Sequence, residues 1–535
     1  KTAACCSIEF ERCHHSSNPN SRIVSITGEM SRRVGRRWPV FTRPRDDLEK
    51  PADGRAAREG VSSSWMPASA ESGELLRAAR QDRIVEIAEL LLGSDDALRS
   101  GRWRQPLLAS GVREGPAFIF EDHSEIPMSP PESHTLEYRM AWLAKRADLV
   151  GLAEARVPAF ERYLSVDLGL GGFEVVEARG NPDVPLPQRF LEDRSVLDEL
   201  AARAKPGDGL TIFPFISSHS VWRLAARLVE LTGQPVQVAG PAPELSERVN
   251  NKLWFAQRVR ELLGAQALPR THAASDEREL MVHLERLADL GGRLVVKVPS
   301  SSGGRGIVTI DASYVGTSRE PATVEWLHRV LSDGGWDGRY PLVVGQWEEP
   351  VVGSPSVQVW IPDRGTGAPL VEAIVDQVVV GGRFVGASRS EIPERVQTRL
   401  AIEGMELALL LQQLGYFGRC SFDAVLLGET VGEASIRWLE CNGRWSGVST
   451  ALTAVRRLLA HRHDLSFVVV QNESQLDGPR SFDQVIDVLG HDSFHRRSDG
   501  TGAVILAPRR VMAGSGLNMA VIERSTTRAQ QLAEQ

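Results

Sequence analysis

Between residues 294 and 308 the chain can be little other than a β-hairpin. Leu294-Val295-Val296-Lys297-Val298 and Ile307-Val308 are β-branched, apolar runs that flank Pro299-Ser300-Ser301-Ser302-Gly303-Gly304-Arg305-Gly306. A Rossmann fingerprint joins strand to helix, so it is excluded here. A Walker A loop ends in Gly-Lys-Ser/Thr and opens a helix, and neither feature is present. The remaining reading is a loop that joins strand to strand. Its Gly/Ser tip lets backbone N–H groups approach phosphate oxygens closely, and Lys297 supplies a point charge on the entering strand. Ser300, Ser301, Ser302, Gly303, Gly304 and Gly306 are the candidate cradle, and Arg305 faces either phosphate or solvent. A flexible hairpin tip without a ligand would use the same residues.

A second strand-like run, Arg437-Trp438-Leu439-Glu440-Cys441-Asn442-Gly443-Arg444, sets a carboxylate, an amide and a guanidinium at alternate positions. Alternate residues on a strand share a face, so Glu440, Asn442 and Arg444 are expected to converge unless the turn signal Gly443 re-aims the last of them, with Leu439 and Cys441 expected toward the core. Carboxylate and amide oxygens suit a hard cation such as Mg²⁺, and the arginine suits the phosphate that such a cation carries. An ordinary exposed strand edge would show the same alternation.

A third segment, Asn250-Asn251-Lys252-Leu253-Trp254-Phe255-Ala256-Gln257, opens a helical pattern that stops at Leu263-Gly264. Asn250 or Asn251 is the expected N-cap. Lys252 in the first turn opposes the helix dipole, a mismatch that an anion at that position would offset. A solvated lysine is the alternative.

The 535 residues leave room for three or four domains, and 42% hydrophobic content is ordinary for packed cores. A net charge of −7 gives no electrostatic footprint for nucleic acid. No run of about eighteen apolar residues suggests a membrane span. Five cysteines, two of them in the candidate core, fit a reducing, cytoplasmic setting. Cys420 and Cys441 read as small buried residues.

Residues 1–75 are rich in Ser, Arg and Pro and read as disordered or as a non-native extension. Their Cys5, Cys6, Cys13, His14 and His15 match no common zinc spacing. Residues 76–245 alternate helices (Leu76–Leu92, Tyr138–Ala153, Arg194–Ala204, Val221–Leu231) with strands (Ala117–Phe120, Phe173–Glu177, Leu210–Phe215, from Val236). That order predicts a covered, mainly parallel sheet. His219 lies in a Ser-Ser-His-Ser stretch that reads as a helix cap. Residues 246–455 read as antiparallel: Ser356–Ile361, Val371–Val380, a Gly381-Gly382 turn and Arg383–Ala387, then a helix through Leu400–Leu411 stopped by Gly415. Arg389 after that hairpin is a weaker candidate for a substrate carboxylate. Residues 456–535 read as a small α+β unit, with strands Leu465–Val470 and Ala503–Leu506, a helix Phe482–Leu489 and a frayed polar end.

Taken in order, these motifs resemble the ATP-grasp superfamily of carboxylate–amine ligases over roughly residues 245–455. Lys252 and Leu268-Pro269-Arg270-Thr271 resemble the opening of such a domain, and Lys297 through Gly306 its phosphate loop. Val343-Val344-Gly345-Gln346-Trp347-Glu348-Glu349 resembles the strand and hinge that grip adenine. Ser421-Phe422-Asp423-Ala424-Val425 resembles the strand of the first metal carboxylate. Glu440-Cys441-Asn442-Gly443-Arg444 resembles Glu-x-Asn-Pro-Arg, with Gly443 in place of proline loosening the backbone. The layout of a preceding α/β segment and a short C-terminal unit resembles the pheganomycin-type peptide ligases, as do Gly209–Phe215 and Gly443–Gly447.

The resemblance implies α/β and α+β multidomain architecture: a parallel pre-ATP-grasp domain, an ATP-grasp fold and a small C-terminal domain. It implies ATP and Mg²⁺ as cofactors. Gln346, Trp347 and Glu348 would join Lys252, Lys297 and the Gly/Ser loop on the nucleotide. Asp423, Glu440 and Asn442 would hold metal, and Arg444 and Lys297 would act in catalysis. The implied reaction joins a carboxylate to an amine through an acyl phosphate, on small-molecule or peptide substrates. A small-metabolite ligase and a non-catalytic ATP-binding regulator are the alternatives. The donor, the acceptor and the oligomeric state are not legible in the sequence.

Overall fold

A computed structural model describes residues 80–99, 115–315, 320–380, 383–459, 464–472, 481–490, 495 and 499–535. The cysteine/histidine cluster near the start and the Gly381-Gly382 turn lie outside these residues. No described helix is long and apolar enough to cross a membrane.

The first sheet is fully parallel. Strands β1 (Ala117–Phe120), β2 (Leu149–Leu152), β3 (Glu174–Glu177), β4 (Leu210–Pro214) and β5 (Val236–Val238) stand in the order β3-β2-β1-β4-β5. Burial on both faces explains why β1, β2 and β4 are near-continuous apolar runs. The chain runs from β1 outward to β2 and β3 on one side, then crosses to β4 and β5 on the other. Helix α1 (Gln81–Ser94) precedes this sheet in the chain, and α2 (His219–Thr232) follows β4. Ser218 caps α2 through Val221 N, as expected for the loop around His219.

The helix expected over 138–153 is corrected. A 3₁₀ helix covers Pro131–Leu143, and residues 149–152 form the buried strand β2. Four consecutive apolar residues carry no period that separates strand from helix. A Cβ at Gly151 would stand 2.7 Å from Phe190 Cζ, so glycine admits the close packing of β2 against the core.

After α3 (Lys252–Leu263), strands β6 (Thr271–Ala274), β7 (Arg293–Lys297), β8 (Ile307–Asp311) and β9 (Leu342–Gln346) make an antiparallel sheet, β6-β9-β7-β8. Its other strands gather into one large sheet: β10 (Val351–Gly353), β11 (Pro355–Ile361), β12 (Leu370–Val380), β13 (Arg383–Arg389), β14 (Gly418–Leu427), β15 (Ser435–Asn442), β16 (Ser466–Asn472), β17 (Gly502–Ile505) and β18 (Leu517–Glu523). Helix α4 (Glu394–Gln413) covers one face through Leu400, Met405 and Ala408 against Val357, Phe422 and Trp438. The opposite face carries polar residues. Helix α5 (Gly447–Leu459) follows β15.

The strands of the C-terminal segment do not make a sheet of their own. β16 pairs with β13, and β18 and β17 extend the same sheet. β18 escaped the sequence reading because it is buried on both sides and lacks alternation. The frayed terminus is also corrected. Ser525 caps a helix over Thr526–Glu534, with Ala529 fully buried.

Candidate active site

The Gly/Ser hairpin forms as the sequence predicts. β7 and β8 pair Lys297 with Ile307, and Val298 N donates to Gly306 O at 2.8 Å. Gly303 and Gly304 take left-handed conformations (φ 62° and 75°) that only glycine adopts cheaply. The loop is fastened to the start of α3. Asn251 caps α3 through Leu253 N and Trp254 N, Lys252 N donates to Pro299 O at 3.0 Å, and Lys252 Nζ reaches Ser301 Oγ at 3.3 Å. Asn251 Nδ2 lies 3.4 Å from Ser300 Oγ. Arg305 donates to Ser129 O at 3.3 Å, a partner outside both sequence alternatives.

Lys252 Nζ also lies 2.9 Å from Glu440 Oε2. The anion expected at the first turn of α3 is therefore, in this state, the Glu440 carboxylate. Burial would raise the Glu440 carboxyl, but Lys252, Arg444 and Lys297 outweigh it and hold the pKa below the ordinary value. Lys297 is pushed down to about 8, by burial first and by the like charge of Lys252 second, with Glu440 opposing. Lys297 of the hairpin and Lys252 at the start of α3, a helix packed on the core of the large sheet, thus meet one carboxylate of that sheet.

On the large sheet, Asp423 of β14 sits opposite Glu440 of β15, and Ser421 opposite Asn442. Asn442 Nδ2 donates to Asp423 Oδ2 at 2.9 Å, and Ser356 Oγ to Asp423 Oδ1 at 2.5 Å. Burial first, then Glu440, pushes the Asp423 carboxyl up to about 6. Two facing carboxylates and an amide oxygen form a hard-donor set whose mutual repulsion a divalent cation would relieve, so these residues fit Mg²⁺.

The strict alternation expected across Leu439–Cys441 is corrected. The β14–β15 register shifts so that Glu440 opposes Asp423 while Trp438 opposes Ala424. Leu439 is the extra residue of a bulge and is only half-buried, and Trp438 and Cys441 take the core positions. The bulge re-aims Glu440 without disturbing Asn442.

Arg444 is half-buried, and loss of solvation lowers its pKa, while Glu440, Cys441 and Asp423 favour its charge. Its Nη1 donates to Asn250 Oδ1. Gly443 N donates to that same oxygen at 3.1 Å, and Asn250 Nδ2 returns a bond to Gly443 O at 3.3 Å. The backbone at Gly443 is therefore braced, contrary to the loosening expected from the missing proline.

The expected hinge residues lie at the other end of β9. Gln346 pairs with Leu294, three residues along β7 from Lys297. Glu348 accepts from Arg270 N at 3.0 Å, Trp347 lies beneath Arg293 at 5.5 Å, and Glu349 pairs with Arg293. No hydrogen bond joins them to the lysine cluster. Arg389 ends β13 half-buried, and His219 faces solvent near Glu247. Cys420 and Cys441 are free and buried.

Sequence reasoning missed Asn250 as a brace and Ser356 as a partner of Asp423. Ser356 and Gln358 alternate with Val357 and Val359 on β11, a period-2 signal that was available. It also missed a buried group in the parallel domain, where Arg139 pairs with Glu121 and Glu121 with His123 Nε2 at 2.7 Å.

Residues 137–229 match the family model of the pre-ATP-grasp domain. No curated protein sequence matches the chain. Among solved structures, the chain is similar to an N5-carboxyaminoimidazole ribonucleotide synthetase in complex with ADP, at 13% identity and TM-score 0.48, covering 80% of this chain and 97% of that one. The Staphylococcus aureus N5-carboxyaminoimidazole synthetase with ADP is similar at 10% identity and TM-score 0.47, covering 80% and 99%. A Campylobacter jejuni biotin carboxylase–ATP complex is similar at 12% identity and TM-score 0.47, covering 78% and 89%.

Proposed function

We propose that this protein is an ATP-dependent ligase that joins a carboxylate to an amine through an acyl phosphate and releases ADP and phosphate. The observation that carries the reading is the meeting of Lys252 and Lys297, fastened to a Gly/Ser hairpin, with Glu440, Asp423, Asn442 and Arg444 on the facing sheet. The match of residues 137–229 to the pre-ATP-grasp domain supports it.

Joining acid and amine directly in water is uphill. A carboxylate oxygen therefore attacks the γ-phosphorus of ATP, and ADP leaves. The amine then attacks the acyl carbon, and phosphate departs with the former carboxylate oxygen. Phosphoryl transfer depends chiefly on positioning and charge neutralisation. Lys252 and Lys297 neutralise phosphate oxygens, Lys252 exchanging Glu440 for the nucleotide. Residues 300–306 close over the phosphates through backbone N–H groups and exclude water. Asp423, Glu440 and Asn442 would hold Mg²⁺, which would supply positive charge against the phosphate oxygens. Arg444, aimed by Asn250, stabilises charge on the moving phosphoryl group or the tetrahedral intermediate.

Amino acids or peptides are the substrates this reading favours, following the resemblance to pheganomycin-type ligases. The test is ADP release over a panel of acids and amines with and without Mg²⁺, with mass spectrometry of the products. ADP and phosphate with an amide product are expected, and stoichiometric AMP and pyrophosphate would overturn the reading.

A further inference from the structure

The tip of the Gly/Ser hairpin rests on the parallel domain. Its base is fastened to α3 at Ser300 and Ser301, whereas Arg305 Nη1 donates at 3.3 Å to Ser129 O, in the loop that follows β1. A Cβ at Gly303 would stand 3.0 Å from Pro130 Cγ, so glycine lets the tip lie directly against that ring. Met128 packs on the apolar core of the hairpin sheet, which includes Leu294, Val308 and Trp336. A Cβ at Gly334 would stand 3.2 Å from Met128 Cε and 2.6 Å from Arg305 O, so the methionine and the hairpin backbone meet at that glycine.

The first half of the same loop is anchored in the parallel domain. Glu121 pairs with Arg139, Leu186 N donates to Asp122 Oδ2 at 3.0 Å, and Ser218 at the cap of α2 donates to Glu125. His123 stacks on Phe215 with ring centroids 4.3 Å apart, and Ile126 is buried. Met128 holds φ at 57°, a left-handed conformation that a long side chain keeps only where its surroundings impose it. Ile126 and Met128 are two residues apart, which leaves no slack between the anchor in one domain and the contact on the other. The hairpin itself has the opposite character. Ser300, Ser301 and Ser302 with Gly303, Gly304 and Gly306 make a segment that is costly to order, so tertiary contacts must hold it in place.

We propose that Arg305 and the segment Met128–Pro130 form a clasp that holds the Gly/Ser hairpin closed on the parallel domain while the acyl phosphate exists. The clasp rests on these contacts alone, and its role in turnover rests on the ligase reading. Arg305 is a positioning residue: its guanidinium bonds a backbone carbonyl of the other domain and fixes the loop whose N–H groups face the phosphates. With the clasp open, water reaches the acyl phosphate. The water oxygen bonds to the acyl carbon, the bond from that carbon to the phosphate oxygen breaks, and acid and phosphate return to solution. ADP then appears without an amide.

Two variants open the clasp from opposite sides, Arg305→Ala from the hairpin and Met128→Ala from the parallel domain. Arg305→Lys keeps the charge and a donor. Hydrogen–deuterium exchange of residues 300–306 in the full chain without nucleotide is the first readout, and it needs no substrate. Both alanine variants should exchange there roughly tenfold faster than wild type, with Arg305→Lys in between. In Arg305→Ala the amides of β7 and β9 should keep wild-type rates. Equal exchange in wild type and either alanine variant overturns the clasp, as does an Arg305→Ala acceleration that extends through β7 and β9. The second readout is the ratio of ADP to amide with an acid and amine that wild type joins. That ratio should be about one in wild type and rise roughly threefold or more in both alanine variants. An unchanged ratio overturns the proposal even where exchange is faster. Failure of wild type to join any acid and amine counts against the ligase reading, and exchange alone then decides the clasp.

Discussion

Asn250 and Gly443 hydrogen-bond each other in both directions: Gly443 N donates to Asn250 Oδ1 at 3.1 Å, and Asn250 Nδ2 to Gly443 O at 3.3 Å. The same Asn250 oxygen accepts from Arg444, so one amide sets both the backbone at Gly443 and the guanidinium of Arg444. A proline at 443 has no N–H to donate. A Cβ there would stand 2.2 Å from Val249 Cγ2.

Placing a proline at position 443, as in Glu-x-Asn-Pro-Arg, should therefore harm this protein. Gly443→Pro is expected to lose about 2 kcal/mol or more of stability, from overpacking and a lost hydrogen bond. Asn250→Ala should keep MgADP affinity and lower kcat about tenfold or more, because Arg444 loses its aim. Denaturant titration and steady-state kinetics check the pair.

Lys297 should make nucleotide binding proton-linked. Its folded pKa of about 8 lies below the ordinary 10.5, and a phosphate partner raises it again. MgADP binding above about pH 8 should then take up a proton, and affinity should fall as pH rises through that range. Without nucleotide, the unfolded chain binds more protons than the folded one between about 8 and the ordinary value, so this group's contribution to stability rises with pH there. Calorimetry in buffers of different ionisation enthalpy measures the uptake, and Lys297→Met should abolish it while weakening binding.

Asp423→Asn should leave the melting temperature at or above that of wild type, since it removes a buried charge facing Glu440. Its rate should fall roughly a hundredfold or more. Glu440→Gln should cost a similar rate but also some stability, because Lys252 loses its ion-pair partner. Wild-type turnover in Asp423→Asn would place the metal elsewhere.

Glu372 is shared between Arg419 and Arg456 on the polar face of the large sheet. Burial pushes Arg419 down to about 9 and Arg456 to about 10. Glu372→Gln removes the counter-charge of the buried Arg419 and the half-buried Arg456 and should cost about 3 kcal/mol. Chemical denaturation gives the value, and a loss near zero would mean that water reaches the cluster.

The candidate residues Lys252, Lys297, Glu440 and Asn442 were legible in the sequence because their signals are local. A Gly/Ser loop between β-branched runs dictates a hairpin with Lys297 at its base, and period-2 spacing places Glu440 and Asn442 on one face. The N-cap at Asn251 and the parallel character of the first sheet follow from equally short-range patterns. Tertiary structure decided what those patterns leave degenerate. An apolar run such as Leu149–Leu152 has no period, and only its pairing between β1 and β3 makes it a strand. The bulge at Leu439 arises from pairing with β14, which no single strand encodes. Asn250 with Gly443, Lys252 with Glu440 and Met128 with Gly334 are each separated by close to two hundred residues or more. Such pairs are chosen by how folded elements dock, because side-chain chemistry specifies what a residue can bind but not which distant residue will be brought to it.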